Sequence, residues 1–206
     1  MRALIYATCL CAVSTATAAQ DDVSGAVSGT LQPLNAFGEG IAGDVTVMPG
    51  DGTVTIRLEA EGVSPGMHLA HIHGFAVAEP QNAACPGPGA DTNDDGVVDL
   101  IETREVAGVT IIPFTDAPAS LSIASENYPT AGADGRLRYD QSVDVSELRD
   151  AVQAAFGTPL ALPQRVVFLH GAPEGAELPD SARSLEGVPA AVTIPIACAE
   201  LDAAPE

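Results

Sequence analysis

"TVTIRLEA", residues 53–60, alternates without a break: Val54, Ile56, Leu58 and Ala60 fall on one side, Thr53, Thr55, Arg57 and Glu59 on the other. Successive side chains of an extended chain point to opposite faces, so this stretch predicts a half-buried β-strand. "GDVTVM" (43–48) precedes it, and "PGDG" (49–52) supplies the turn residues of a hairpin between the two. Further strands are predicted over 23–31, 107–114, 119–125, 135–143, 164–170 and 188–197. Only "VSELRDAVQAAF" (145–156) has helical spacing, with apolar residues at 145, 148, 151, 152, 155 and 156. There is no internal repeat. Many short strands between Gly/Pro turns, with one short helix, predict an all-β antiparallel sandwich or barrel.

The 206 residues are enough for one domain with a substantial core. "MRALIYATCLCAVSTATAAQDD" opens with one arginine, an apolar run too short to span a bilayer, and small residues at 16–19. Residues 1–19 therefore read as a secretory signal peptide and 20–206 as the mature domain, periplasmic or secreted. No later segment reaches membrane-spanning length. Cys9 and Cys11 leave with the signal, so Cys85 and Cys198 remain, and two cysteines in an exported domain most simply form one disulfide. It would close a loop of 198 − 85 = 113 residues. By loop entropy that closure contributes about 4 to 5 kcal/mol.

Twenty-eight acidic residues face eight arginines and no lysine, a net charge of −20 that becomes −21 when Arg2 leaves with the signal. Such a surface repels nucleic acid and anionic lipid and favours cations as partners. "GEGIAG" (38–43) has the spacing of a dinucleotide-binding glycine loop, but an alternating strand follows it where a helix is required. Without a helix N-terminus nothing holds a pyrophosphate, so that function is excluded.

"DTNDDGVVDLIE" (91–102) has the twelve-residue spacing of a calcium loop. Calcium needs six to eight oxygens. Asp91, Asn93 and Asp95 stand at positions 1, 3 and 5, Gly96 takes the turn at 6, and Val97 offers its carbonyl at 7. Asp99 stands at 9 and Glu102, with two oxygens, at 12, while Val98 at 8 is the apolar pin. "CPGPGA" before the loop excludes an entering helix, and only a short exit helix through "LIETR" is expected. A lone loop of this kind predicts a structural calcium ion rather than a sensor.

Three of the four histidines crowd into "GMHLAHIHGF" (66–75). On a strand His71 and His73 share a face, and His68 falls on the other with Ala70 and Ile72. Two imidazoles on one face make half of a metal site, and His170, ending "RVVFLH" (165–170), is the remaining candidate. An all-imidazole set suits copper or zinc.

At these residues the chain resembles the copper/zinc superoxide dismutases. Their G-[LM]-H-x-x-H-x-H-x-F stretch is matched by Gly66, Met67, His68, His71, His73 and Phe75, and their R-x-x-V-V-H strand end by Arg165 to His170. The resemblance implies a Greek-key sandwich and copper on His71, His73 and His170. It also implies a disulfide from Cys85 to Cys198, the second half of an Ala197-Cys198 pair. The pattern departs where the family's zinc loop and bridging histidine should be: the proline/glycine run and the calcium loop stand there instead. A zinc site of the family type is excluded, and the fourth copper ligand is lacking. The arginine expected three residues before the second cysteine is Pro195. "HIHG" (71–74) is also similar to the chordin-type (CHRD) domains.

The expected function is an exported, metal-binding, superoxide dismutase-like protein, with superoxide as the substrate if copper on the three histidines turns over. The alternatives are a non-catalytic copper carrier and a calcium-stabilised CHRD-like module. The sequence leaves the oligomeric state open.

Overall fold

The computed structural model describes residue 23, residues 25–124 and residues 126–204. The signal peptide read over 1–19 lies outside them. In chain order the strands are β1 (Val27–Thr30), β2 (Gln32–Pro33), β3 (Ala42–Pro49), β4 (Thr53–Glu61), β5 (Gly66–Met67) and β6 (Ala70–Gly74). After them come α1 (Arg104–Ala107), β7 (Val109–Pro113), β8 (Thr130–Ala131), β9 (Leu137–Asp144) and α2 (Val145–Phe156). The chain closes with β10 (Val166–His170), α3 (Ala190–Thr193), β11 (Pro195–Glu200) and β12 (Asp202–Ala203).

Two antiparallel sheets carry the fold. The first has the order β12-β1-β3-β4-β9 and the second β2-β11-β10-β6-β7, while β5 and β8 form a two-stranded ribbon. The chain leaves the first sheet after β4, enters the second as β6 and β7, and returns as β9 beside β4. It then crosses again as β10, between β6 and β11. These crossings are Greek-key connections between the layers of a sandwich. Of the two architectures expected, the sandwich is found; the sheets stay separate and no barrel closes.

The alternation of β4 does what its sequence predicts. Val54, Ile56, Leu58 and Ala60 are buried and Thr53, Arg57 and Glu59 exposed. Opposite them the second sheet presents Ala70, Ile72, Val167 and Leu169 to the same core. α2 spans the predicted 145–156; the Asp144 carboxylate caps it by accepting from the Ser146 and Glu147 amides, and Leu148 and Val152 seal the edge of the sandwich.

Four expectations are corrected. Of the strand expected over 119–125, none forms over the described residues 119–124: Pro118–Ser120 is a 3-10 turn whose next residue, Leu121, has a left-handed φ of 53° that breaks an extended run. The stretch read as a strand from 188 begins with Pro189 and the four-residue helix α3, and β11 starts only at Pro195. The short helix expected through "LIETR" after the 91–102 loop forms later, as α1, and α3 is a short helix that was not expected. Gly108 ends α1 at φ 74° with its Cα against the Gly74 carbonyl; a Cβ there would lie 2.1 Å from that oxygen. β7 accordingly starts at Val109 rather than 107.

Candidate metal centre

β6 and β10 are neighbours in the second sheet, with His71 opposite Phe168 and His73 opposite Val166. Ala70 and Ile72 point into the sandwich, so His71 and His73 stand on the outer face. His170 ends β10, where the register with β11 slips between Leu169 and His170; the pairing of β6 with β7 slips between Ile72 and His73. Bulges of this kind re-aim side chains at the ends of ladders. The outer face is nevertheless dry. A second apolar cluster of Ala83, Ala107, Val166, Phe168 and Cys198 covers it, and the three histidines are each at most 5% exposed.

The three rings form a triangle, with centroids 5.8 Å apart for His71–His73, 5.2 Å for His71–His170 and 5.6 Å for His73–His170. Each ring is oriented from behind. His170 Nδ1 donates to the Thr193 carbonyl at 2.8 Å. A carbonyl only accepts, so this nitrogen carries the hydrogen and Nε2 keeps its lone pair. His71 Nε2 lies 2.8 Å from the Tyr128 hydroxyl, which itself donates to the Ile123 carbonyl and so accepts from the ring. His73 Nε2 meets the Thr110 hydroxyl at 3.1 Å. The nitrogens left over, His71 Nδ1, His73 Nδ1 and His170 Nε2, are buried and have no hydrogen-bond partner.

Buried polar atoms without partners are uncommon and cost about 1–3 kcal/mol each. Here three occur in one group, whose ligand atoms all lie within 4.8 Å of one another. Two imidazoles bound to one ion at about 2.0–2.1 Å sit no more than about 4.2 Å apart, so closing on a cation asks for shifts of tenths of an ångström. Burial, with the His170 and His73 charges next, holds His71 well below the ordinary imidazole range. Burial, then His170, does the same to His73. His170 is pushed down to about 4 by burial, against the Thr193 hydrogen bond that favours its charge. The trio is neutral near pH 7, the state in which imidazole binds metals. Among the described residues no other group of three or more His, Cys, Asp or Glu gathers so closely.

His68 stays apart, in the link between β5 and β6 and not on a strand. Its Nδ1 is 2.9 Å from the His170 carbonyl and its Nε2 2.7 Å from that of Ser64. His68 thus supports the backbone of His170. Cys85 and Cys198 are joined, Cα to Cα 5.8 Å, which ties the segment after β6 to β11 beneath Phe168.

The 91–102 loop folds around its own donors. Asp91 accepts from the Asp95 and Gly96 amides, and Asp95 from the Val97 amide. Gly96 turns at φ 89°, and Val97 and Val98 are buried. Asn35 clamps Val98 from both sides of its backbone and also reaches the Pro195 carbonyl. Glu102 accepts from Thr92 and from the Asp99 amide. The Arg183 guanidinium bridges Asp99 at 3.0 Å and Glu102 at 3.4 Å, both fully buried carboxylates.

Sequence reasoning found the three histidines of the cluster but not Tyr128, Thr110, Thr193 or Arg183. Thr110 follows from strand pairing once β6 and β7 are known to be neighbours. The other three carry no motif.

No family model matches the chain, and no curated protein matches it. Among solved structures the clock protein EA4 is similar at 15% identity, with 88% of this chain and 96% of that chain covered and a TM-score of 0.44. At that identity and score the likeness says nothing of function.

Proposed function

We propose that this is an exported copper-binding protein that holds one ion on His71, His73 and His170. The observation that carries the reading is the gathering of three buried, unpartnered imidazole nitrogens, each on a ring whose other nitrogen is already fixed. An all-nitrogen, borderline-soft set suits copper better than calcium or magnesium. The Tyr128 hydroxyl and the Thr193 carbonyl fix tautomer and ring angle for His71 and His170, and the Thr110 hydroxyl holds the His73 ring, the task that outer partners perform at metal sites. Copper held there supplies one-electron redox chemistry. The disulfide accords with an oxidising compartment, and no helix among the described residues is long and apolar enough to cross a membrane.

Superoxide disproportionation is the second reading, favoured by His71 and His170 both lining a cavity of about 390 Å³. Weighing against it are Pro195 at the position of the family's guiding arginine and the −20 charge, which repels an anionic substrate. Holding copper without turnover is therefore the function we assign. We assign the 91–102 loop a structural calcium ion on Asp91, Asn93, Asp95, the Val97 carbonyl, Asp99 and Glu102, on the completeness of its spacing.

Copper titration of the mature protein, followed by absorption and by metal analysis after gel filtration, tests the main reading. One ion per chain is expected, lost in His71→Ala and His170→Ala and kept in His68→Ala. A chain that takes up no copper overturns the reading and leaves the calcium-stabilised module. Superoxide turnover by the loaded protein would replace the carrier with the enzyme.

A further inference from the structure

The cavity beside the histidines is apolar to a degree that the rest of this surface is not. It encloses about 390 Å³, with His71 and His170 among its lining, walls of Leu100, Leu185 and Val188, and a rim of Met67, Ile123 and Val192. A second hollow of about 300 Å³ adjoins it, sharing Leu100, Thr110, Ile123 and Leu185 and reaching His73. Six large hydrophobic side chains are exposed among the described residues; Met67, Ile123 and Val192 border the first hollow and Val109 the second. Exposed apolar surface thus concentrates at one place, on a chain with 28 acidic residues. On the walls of the larger cavity the charged residue is Glu126, not a cation.

We propose that this cavity binds a neutral, largely apolar small molecule and lays it against the imidazoles of His71 and His170. The volume falls within the range of ligand pockets, about 300–1,000 Å³. Apolar walls reward any molecule that sheds water there, and the few polar groups of the lining, His71 and His170 among them, can orient a ligand. An anion finds a carboxylate and no donor-rich wall, while the surrounding field repels it. A protein partner would need a broad face, whereas this is a recess that ends on two side chains. The proposal names the ligand class of the centre described above. It rests on the copper reading only for what the bound molecule meets; the recess itself is present without metal.

The test uses N-phenyl-1-naphthylamine, a neutral fluorophore whose emission rises in apolar surroundings, and the metal-free mature protein. Saturable binding at one site per chain is expected. Ile123→Asp and Val192→Glu place charge on the exposed rim; each should weaken binding by at least about tenfold, since the cavity then desolvates a carboxylate. Circular dichroism of both variants checks that they are folded, and their copper uptake should match the unmodified chain. Failure of the copper reading would show separately, as absent uptake in all three proteins. No saturable binding to folded protein, or binding unchanged in both variants, overturns the proposal.

Discussion

Acid should unfold the metal-free protein through its buried imidazoles. His170 is fully buried and titrates near 4 when folded, against about 6.5 in an unfolded chain. With its folded value depressed, the native state carries fewer protons than the unfolded one inside that window. Its contribution to stability is therefore complete above about 6.5 and falls away as the pH drops toward 4. The whole window, 6.5 to 4, corresponds to about 3 kcal/mol, and the part between pH 7 and 5 to about 2 kcal/mol. Burial depresses His71 and His73 in the same direction, so their contributions are lost over falling pH in the same sense as that of His170. Acid also relieves repulsion among the carboxylates, so the difference between two proteins is the cleaner measure. Urea unfolding at pH 7, 6 and 5 in chelator should show the unmodified chain losing about 2 kcal/mol more than His170→Gln. Equal losses in the two would mean that the imidazole is not held neutral by burial, and the argument would fail.

Three further outcomes follow from contacts outside the trio. Millimolar calcium should raise the melting temperature by mass action, and Glu102→Gln should remove the rise. Arg183→Gln, which takes away the guanidinium that now balances Asp99 and Glu102, should lower stability in chelator and enlarge the gain from calcium. Gly74→Ala should destabilise by about 3 kcal/mol in urea unfolding. Its Cβ would lie 2.2 Å from Nη1 and 2.5 Å from Cδ of Arg165. That fully buried side chain is fixed by the Phe75, Pro159 and Leu160 carbonyls and the Thr158 hydroxyl.

How legible the molecule was in its sequence depended on whether a signal was local. The alternation of 53–60, the hairpin turn and the capped helix 145–156 are local, and all were found where predicted. The H-x-H pair gave its shared face for the same reason. Over 119–124 propensity misled, because a strand needs a neighbour to pair with and this segment instead becomes a loop that lays Ile123 near the histidines. Arg183 was invisible because nothing near 183 refers to the carboxylates at 99 and 102; only the folded loop brings them together. The apolar recess was illegible for a similar reason. Its lining comes from six separated segments whose single leucines and valines look like ordinary surface positions.

The pairing of β6 with β10 places His71 and His73 beside a strand that the ribosome delivers long afterwards: the His73–Val166 contact spans 166 − 73 = 93 residues. Closing so long a loop is entropically costly and comes late in a chain rich in non-local pairing. A nascent or half-folded molecule therefore has His71 and His73 without His170 beside them, and that ring arrives only with the last sheet partners. On the proposed copper reading, three-histidine affinity appears when folding is finished and is lost when β10 peels away. On that reading the ladder between these two strands makes ion retention a readout of native topology.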